Sequence, residues 1–309
     1  MSQPNVIKDA TPTHWVYKAP ISWQPYLQLS RLDRPIGYWL LTLPGWIGIA
    51  FATLSNGYAW ADLKWAMLIL IGAIAMRGAG CTYNDIVDQD LDAQVERTAL
   101  RPLPAGTVST KQAWFWVSAQ CIVGLVVLLC LPRLAQTVSL LSIPLVAAYP
   151  FMKRITWWPQ LWLGMTFNWA VLVAYSAKTG TISAPLFILY LGLIVWTVFY
   201  DTIYACEDKQ DDNIIGIKST ALRFGDKLFP ALSTLATLSA FMCFLPIMIE
   251  HQTVSSFILF IPFYAHLNYQ IYKIRTATPP DYIGAFKSNF WAAIILIATF
   301  LTFGLFTIL

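Results

Sequence analysis

An all-α, polytopic membrane protein with about nine transmembrane helices is the fold class that this sequence of 309 residues predicts. The chain is 57% hydrophobic and 12% charged, with a mean hydropathy of +0.58. Soluble domains usually carry about 25% charged residues. The apolar residues fall into nine segments, each close to the roughly 20 residues that a helix needs to cross a bilayer. Backbone groups in lipid must find their hydrogen bonds within the segment, so we expect helices.

The predicted helices follow one another with short loops along most of the chain. Their approximate bounds are 36–54, 63–83, 113–131, 134–152, 158–177, 183–204, 229–249, 254–272 and 285–308. Prolines inside a helix remove a hydrogen bond and kink it, and those inside these segments are Pro44, Pro144, Pro246 and Pro262. Residues 36–309 form the predicted transmembrane domain. Residues 1–35 form a polar N-terminal arm, with room for a surface helix near Trp23 to Leu32.

Lysine and arginine predict which helix ends face the cytoplasm. If nine spans alternate in direction, sixteen of the twenty basic residues fall on one side. These are Lys8, Lys18, Arg31, Arg34, Arg97, Arg101, Lys111, Lys153, Arg154, Lys209, Lys218, Arg223, Lys227, Lys273, Arg275 and Lys287. The other side has Arg133 and Lys178, while Lys64 and Arg77 lie within the second span. By the positive-inside rule, the basic loops and the N-terminal arm face the cytoplasm.

Ten of the sixteen acidic residues are concentrated in two clusters, each at the end of an even-numbered span. The first cluster comprises Asp85, Asp88, Asp90, Asp92 and Glu96, and the second comprises Asp201, Glu207, Asp208, Asp211 and Asp212. Both clusters are therefore expected on the cytoplasmic side. Carboxylates close to lipid are costly unless a cation compensates them.

The spacing in the first cluster places its carboxylates on one helix face. Asp85, Asp88 and Asp92 stand at i, i+3 and i+7, and Asn84 precedes Asp88 by four residues. Mg²⁺ is typically bound by a few protein carboxylates, together with water molecules and phosphate oxygens. The pattern thus predicts a divalent metal that binds a phosphate-bearing substrate.

The second cluster repeats this arrangement. Asp201, Asp208 and Asp212 stand at i, i+7 and i+11, with Asp211 beside them. Basic side chains near both clusters can bind the remaining phosphate oxygens: Arg97, Arg101, Lys153, Arg154, Lys218 and Arg223.

Two other interpretations of the clusters stay open at this point. The acidic residues could be solvated charges of ordinary loops. They could also belong to a divalent-cation transporter, although a transporter favours carboxylates near the middle of the membrane, on broken helices. These clusters lie near span ends instead.

Several motifs resemble the UbiA superfamily of intramembrane prenyltransferases. The stretch from Asn84 to Asp92 is similar to its first aspartate-rich motif, and residues 97–106 and 201–220 also resemble the family. Tyr149-Pro-Phe-Met-Lys153-Arg154 is similar to its Tyr-x-x-x-Lys element, and residues 31–37 resemble its entry into the first helix. The resemblance covers residues 26–308. Within the superfamily, it is strongest to the 4-hydroxybenzoate polyprenyltransferases of ubiquinone synthesis.

The resemblance implies a helix bundle around a central cavity, with Mg²⁺ and an isoprenoid diphosphate bound by both acidic motifs. It implies an apolar tunnel, open to membrane lipid, for the isoprenoid chain. The implied metal ligands are Asp85, Asp88, Asp92, Asp201, Asp208, Asp211 and Asp212, of which Asp85, Asp88, Asp208 and Asp212 are first choices. The other expected catalytic residues are Lys153 and Arg154, and the expected substrate-binding residues are Asn84, Arg34, Arg77, Arg97, Arg101, Tyr149 and Lys218.

The implied reaction transfers a polyprenyl group from polyprenyl diphosphate to the ring of 4-hydroxybenzoate, ortho to its hydroxyl. An arginine should bind the carboxylate of that acceptor, and the candidates are Arg34, Arg77 and Arg154. Homogentisate, a naphthoate or another phenol are alternative acceptors.

We expect no nucleic-acid partner, and the sequence leaves the oligomeric state and the isoprenoid length open. Because the arm lacks an Arg-rich, acid-poor leader, we expect a bacterial inner membrane, with a mitochondrial inner membrane as the alternative.

Overall fold

A computed structural model describes residues 13–94, 96–209, 214, 216–251 and 258–308. Of the described residues, 81% are helical, and none lies in a β-strand. This confirms the predicted all-α class.

The α-helices of the described residues are named here in chain order. They are α1 (Gln24–Leu29), α2 (Ile36–Asn56), α3 (Ala61–Val87), α4 (Gln89–Asp92), α5 (Glu96–Ala99), α6 (Thr110–Leu129), α7 (Arg133–Leu141), α8 (Ile143–Ile155), α9 (Pro159–Thr179), α10 (Ala184–Ala205), α11 (Thr220–Phe224), α12 (Leu228–His251), α13 (Phe260–Thr276), α14 (Tyr282–Lys287) and α15 (Asn289–Ile308). A 3₁₀ turn at Trp15–Lys18 precedes α1, and a second one joins α11 to α12.

Seven helical segments within the described part of the chain are long and apolar enough to cross a membrane. This confirms an integral membrane protein but not the predicted count of nine. The two remaining predicted spans correspond to α9 and α13. Helix α9 has 21 residues but contains Gln160, Asn168 and Ser176, whose polar side chains are buried inside the protein. Helix α13 has 17 residues, and residues 252–257 before it lie outside the described part.

The fourth predicted span is built from two helices. Helix α7 ends at Leu141, and α8 begins at Ile143 with Pro144 in its first turn. Proline has no N–H to donate to a carbonyl four residues earlier, and it is well tolerated at a helix start. Pro144 therefore coincides with a break in the helix rather than with the predicted kink.

The chain divides into two compact units. One consists of Met1–Trp39 and Leu70–Cys130, and the other of Leu40–Ile69 and Leu131–Leu309.

In the first unit, α1 and the segment before α6 share a small apolar core. It is formed by Leu29, Leu103, Val108 and Ala113, with Tyr26, Ile86 and Trp116 packed against it. Ser30 follows α1 and accepts a hydrogen bond from Trp116 Nε1 at 2.8 Å, while its hydroxyl donates to Gln120 Oε1 at 3.2 Å. These contacts fix the start of the segment 30–35, which carries two of the arginines discussed below.

In the second unit, glycines allow close contact between neighbouring helices. A Cβ added at Gly48 would lie 2.6 Å from the backbone carbonyl oxygen of Val171, in α9. A Cβ added at Gly164 would lie 3.0 Å from the Ile194 carbonyl oxygen, and one at Gly192 would lie 2.9 Å from the Cys243 backbone nitrogen. Helices inside a membrane associate through such close packing of small residues.

We expect Gly48→Ala to destabilise the protein by about 1–3 kcal/mol, because the new methyl group would overlap backbone atoms that cannot rotate away. Gly80 in α3 offers a matched control, since nothing lies within 4 Å of a Cβ added there. Gly80→Ala should be neutral, or stabilising by up to about 1 kcal/mol, through its higher helix propensity. Thermal unfolding of both purified variants checks this, and equal midpoints would contradict it.

A buried polar cluster joins α15 to two other helices of the second unit. Asn289, the first residue of α15, accepts a hydrogen bond from Trp196 Nε1 of α10 at 2.8 Å. It also exchanges hydrogen bonds with Gln270 of α13, at 3.2 and 3.3 Å. All three side chains are buried. These bonds satisfy polar groups that would otherwise be costly inside the membrane.

Candidate functional site

The first acidic motif lies where α3 ends. Asn84 and Asp85 belong to the last turn of α3, Asp88 separates α3 from α4, and Asp92 ends α4. The backbone N–H of Asp88 donates to the Asn84 carbonyl at 2.9 Å, and that of Asp92 donates to the Asp88 carbonyl at 2.8 Å. Helical hydrogen bonding therefore continues across the break, and it keeps the motif residues on successive turns.

Three of these aspartates are buried. Asp85 is 0% exposed, Asp88 1% and Asp92 8%, whereas Asp90 points outward and is exposed. A buried carboxylate needs a partner of opposite charge or several hydrogen bonds. Solvated loop charge is therefore the wrong interpretation for Asp85, Asp88 and Asp92.

Two arginines from distant parts of the chain contact this motif. Arg31 Nη2 donates to Asp85 Oδ1 at 2.6 Å, and Arg101 Nη1 lies 3.5 Å from the same oxygen. Arg101 Nη1 also donates to Asp92 Oδ2 at 2.7 Å. Because one guanidinium reaches both Asp85 and Asp92, these two carboxylates lie on one face, as their spacing predicts.

Arg31 has an unusual backbone conformation. Its φ of 55° makes it the one residue other than glycine with a positive φ among the described residues. The left-handed region costs such a residue about 1–2 kcal/mol. Burial by itself would lower the pKa of Arg31, but Asp85, together with Cys81 and Asp33, more than offsets this and raises it, so the guanidinium stays charged.

The segment after Arg31 carries a further buried carboxylate. Asp33 is 1% exposed, and its Oδ2 accepts a hydrogen bond from the Tyr17 hydroxyl at 3.1 Å. Arg34 Nε lies 3.9 Å from the same oxygen. Burial and the nearby Asp33 raise the pKa of Tyr17 to about 12, so this hydroxyl remains a donor at neutral pH. The hydrogen bond connects the 3₁₀ turn at Trp15–Lys18 to the segment 30–35.

Arg77 is placed by helix α3 against the start of α2. A Cβ added at Gly37 would lie 2.9 Å from Arg77 Nε and 3.0 Å from Nη2. The absence of a side chain at Gly37 therefore leaves room for this guanidinium. The side chain of Arg97, another predicted contact, lies outside the described residues.

In the second unit, the basic end of α8 meets the segment before α11. Lys153 and Arg154 lie in the last turn of α8, with Tyr149 one turn earlier. The backbone N–H of Lys218 donates to the Lys153 carbonyl at 3.1 Å, and Lys218 Nζ donates to the Ile155 carbonyl at 3.2 Å. The fold thus brings together two lysines that are 65 positions apart in the sequence.

The second acidic motif begins in the last turns of α10. Asp201 lies within α10 and Asp208 just beyond it, both half-buried. The predicted ligands Asp211 and Asp212 lie outside the described residues. The end of α10 is fixed by a hydrogen bond of 2.6 Å between the hydroxyls of Thr202 and Thr220.

The spacing of the acidic residues does not indicate two buried charged residues of the segment 30–35. Arg31 and Asp33 belong to the motif that resembles the family's entry into its first helix, but neither was assigned a role. The pattern of an acidic residue between two arginines was the available signal. Arg31 contacts Asp85 directly, so this segment packs against the first acidic motif.

Comparison with known proteins identifies the family. The sequence model of the UbiA prenyltransferase family matches residues 41–295. The chain belongs to this family.

Alignments with related proteins extend over about nine-tenths of the chain. The mitochondrial 4-hydroxybenzoate polyprenyltransferase of Homo sapiens is 44% identical over 277 residues, which are 89% of this chain and 74% of the human protein. The enzyme of the same name from Aedes aegypti is 43% identical over 294 residues, which are 94% of this chain and 66% of that protein.

Solved structures of other UbiA proteins share the fold. The apo structure of a UbiA homolog from Aeropyrum pernix K1 aligns with a TM-score of 0.70 and 24% identity, over 86% of this chain and 98% of that one. A UbiA homolog from Archaeoglobus fulgidus, solved with GPP and Mg²⁺, aligns with a TM-score of 0.68 and 16% identity, over 90% and 98% of the two chains. The central cavity that the family resemblance implies remains a prediction.

Proposed function

We propose that this UbiA family member transfers a polyprenyl group from polyprenyl diphosphate to 4-hydroxybenzoate, at the ring carbon ortho to the hydroxyl, in ubiquinone biosynthesis. The observation that carries the proposal is the identity of 42–44% with curated 4-hydroxybenzoate polyprenyltransferases over about nine-tenths of the chain. The buried aspartates at the end of α3 and the two arginines that contact them support it. Arginines, and a cation held by the aspartates, would bind a substrate with several negative charges.

Magnesium is the metal that we assign to this reaction, and the residues present fit it. No group of three acidic, histidine or cysteine side chains close enough to hold a metal occurs within the described residues. Mg²⁺ does not require one, because it is usually bound through one or two carboxylates together with water and substrate phosphates. Asp85, Asp88 and Asp92 offer hard oxygen atoms, and Asp85 Oδ2 is buried without a hydrogen-bond partner in the described part of the chain.

We propose metal-binding roles for Asp85, Asp88 and Asp92 in the first motif and for Asp201, Asp208, Asp211 and Asp212 in the second. A bound Mg²⁺ would neutralise charge that develops on the diphosphate as it leaves. The homolog from A. fulgidus, solved with GPP and Mg²⁺, supports the use of this metal in the family.

The protein's own cations complete the diphosphate site in this proposal. Arg101 is held by Asp85 and Asp92, so its guanidinium keeps a fixed position from which further N–H groups can donate to phosphate oxygens. We assign the same role to Arg97, Lys153 and Lys218, with Asn84 and Tyr149 as polar contacts. Such fixed donors stabilise the leaving group more in the transition state than in the ground state.

The acceptor ring attacks the allylic carbon as the bond to diphosphate breaks, and the ring then loses a proton. An arginine that binds the acceptor's carboxylate would hold the reacting ring carbon in place. Arg77 is our first candidate, since its guanidinium is packed against Gly37 inside the protein. Arg34 and Arg154 are the others.

A different acceptor with the same chemistry, such as homogentisate, a naphthoate or another phenol, is the alternative within the family. A divalent-cation transporter is not supported, because the described aspartates lie at helix ends rather than on a broken helix at mid-membrane.

We further propose that the basic loops and both acidic motifs face the cytoplasm or its topological equivalent. Both the bacterial inner membrane predicted from the sequence and a mitochondrial membrane, as in the relatives, suit a chain with seven apolar helices.

The test is a transfer assay on membranes that contain this protein. We expect 4-hydroxybenzoate, a mixture of polyprenyl diphosphates and Mg²⁺ to give 3-polyprenyl-4-hydroxybenzoate, detected by mass. EDTA should abolish the product and added Mg²⁺ should restore it, because the leaving group loses its main charge compensation without the metal. Membranes without the protein serve as the control. Product formation from another phenol but not from 4-hydroxybenzoate would contradict the proposed acceptor.

A further inference from the structure

Arg31 and Arg101 both approach the same oxygen of Asp85. Arg31 Nη2 lies 2.6 Å from Asp85 Oδ1, and Arg101 Nη1 lies 3.5 Å from it. The other oxygen, Oδ2, is buried and accepts no hydrogen bond from the described residues. Both arginines therefore approach Oδ1, and Oδ2 is the carboxylate oxygen that has no hydrogen-bond partner among the described residues.

Arg31 is itself held in place at two points. Its Nη1 donates to the Gln28 carbonyl at 3.0 Å, and its Nη2 donates to Asp85. Its left-handed backbone sets the direction in which the side chain leaves the segment after α1. Residues in strained conformations persist where the surrounding contacts determine them fully. A guanidinium fixed in this way can hold a carboxylate in one orientation.

We infer that Arg31 is a positioning residue, which orients Asp85 so that Oδ2 faces the cation of the reaction. The inference rests on the proposed function, which assigns a metal-binding role to Asp85. Groups that hydrogen-bond to a metal-ligating carboxylate orient it, and their loss typically lowers metal affinity about 10–100-fold.

The sign of the effect separates positioning from simple electrostatics. By Coulomb's law, removing a positive charge near a cation site should strengthen cation binding. If Arg31 orients Asp85, its removal should weaken cation binding despite the more favourable charge. A purely structural role would change stability and leave metal affinity unaffected.

The experiment measures Mn²⁺ binding to the full chain in detergent by electron paramagnetic resonance, in the presence of inorganic pyrophosphate. We expect Arg31→Gln to weaken Mn²⁺ binding by about tenfold or more. Lys18→Gln removes the same charge from an exposed position in the same unit. We expect it to leave Mn²⁺ binding within about twofold of the wild type.

Two further variants strengthen the test. Arg31→Lys keeps the charge but cannot reach Gln28 and Asp85 with two separate donors, so we expect Mn²⁺ affinity between the wild type and Arg31→Gln. Arg31→Gln combined with Asp85→Asn should bind Mn²⁺ no more weakly than Asp85→Asn alone, because the effects of two substitutions that act through one contact do not add.

If Arg31→Gln does not fold, as judged by thermal unfolding, the Mn²⁺ affinity of Arg31→Lys is the deciding measurement. Weaker binding by Arg31→Lys supports the inference, and wild-type binding overturns it.

The outcomes distinguish this inference from the proposed function. A wild-type protein that binds Mn²⁺, together with an Arg31→Gln variant that binds it equally or more tightly, would overturn the positioning role alone. A wild-type protein that binds no Mn²⁺ with pyrophosphate would overturn the metal assignment and the positioning role together.

Discussion

Asp88→Asn is expected to abolish prenyl transfer while the protein stays folded in the membrane. Asp88 is 1% exposed and lies between α3 and α4, in the middle of the first acidic motif. Asparagine keeps the size of the side chain but removes the negative charge that a bound cation needs. We expect the rate to fall at least about 10²–10³-fold, the effect of losing one main electrostatic contact to a transition state.

Asp90→Asn is the matched control for this variant. Asp90 lies two residues further along in the same motif, but its side chain is exposed. We expect it to retain most of the wild-type activity. Initial rates in membranes measure both variants, and thermal unfolding shows whether they are folded. Near-normal turnover by Asp88→Asn would remove this residue from the catalytic site.

Lys178→Met is expected to produce the largest loss of stability. Lys178 Nζ donates to Asp62 Oδ2 at 2.7 Å and to the Gly57 carbonyl at 2.9 Å, and the lysine side chain is 5% exposed. Removing it leaves the largely buried Asp62 carboxylate without its counter-charge. Breaking a buried ion pair in this way costs about 3–5 kcal/mol. The midpoint of unfolding in detergent measures the loss.

A double variant tests whether charge is the cause. Asp62→Asn retains an acceptor for the Ala59 N–H, which donates to Asp62 at 3.0 Å. Combined with Lys178→Met, it should recover most of the lost stability, because no uncompensated charge remains. If the double variant unfolds as easily as Lys178→Met alone, packing of the lysine stem rather than its charge stabilises this contact.

The helices and the acidic motif could be predicted because both depend on local patterns. The predicted apolar segments lie in helical parts of the described chain, although the fourth is divided into α7 and α8 and the ninth spans the boundary between α14 and α15. The spacing of Asp85 and Asp92 predicted a shared face, and Arg101 contacts both of them. Such predictions need only the 3.6-residue helical period.

The ion pair of Arg31 with Asp85 could not be predicted in this way. These residues are 54 positions apart, and Arg31 makes the contact from a backbone conformation with a positive φ. No periodic pattern encodes that conformation. Hydropathy alone also does not determine the number of spans. Polar residues such as Asn168 lower the hydropathy of α9, but their side chains are buried inside the protein.

The polar cluster around Asn289 bears on how the last long helix reaches its final orientation. Helix α15 is apolar over most of its length, so in lipid it could rotate about its own axis at little cost. Asn289 removes that freedom, because its hydrogen bonds with Trp196 and Gln270 exist at one rotation only. These partners belong to α10 and α13. We therefore expect α15 to insert as an independent helix and to acquire its final rotation only after both partners are in place.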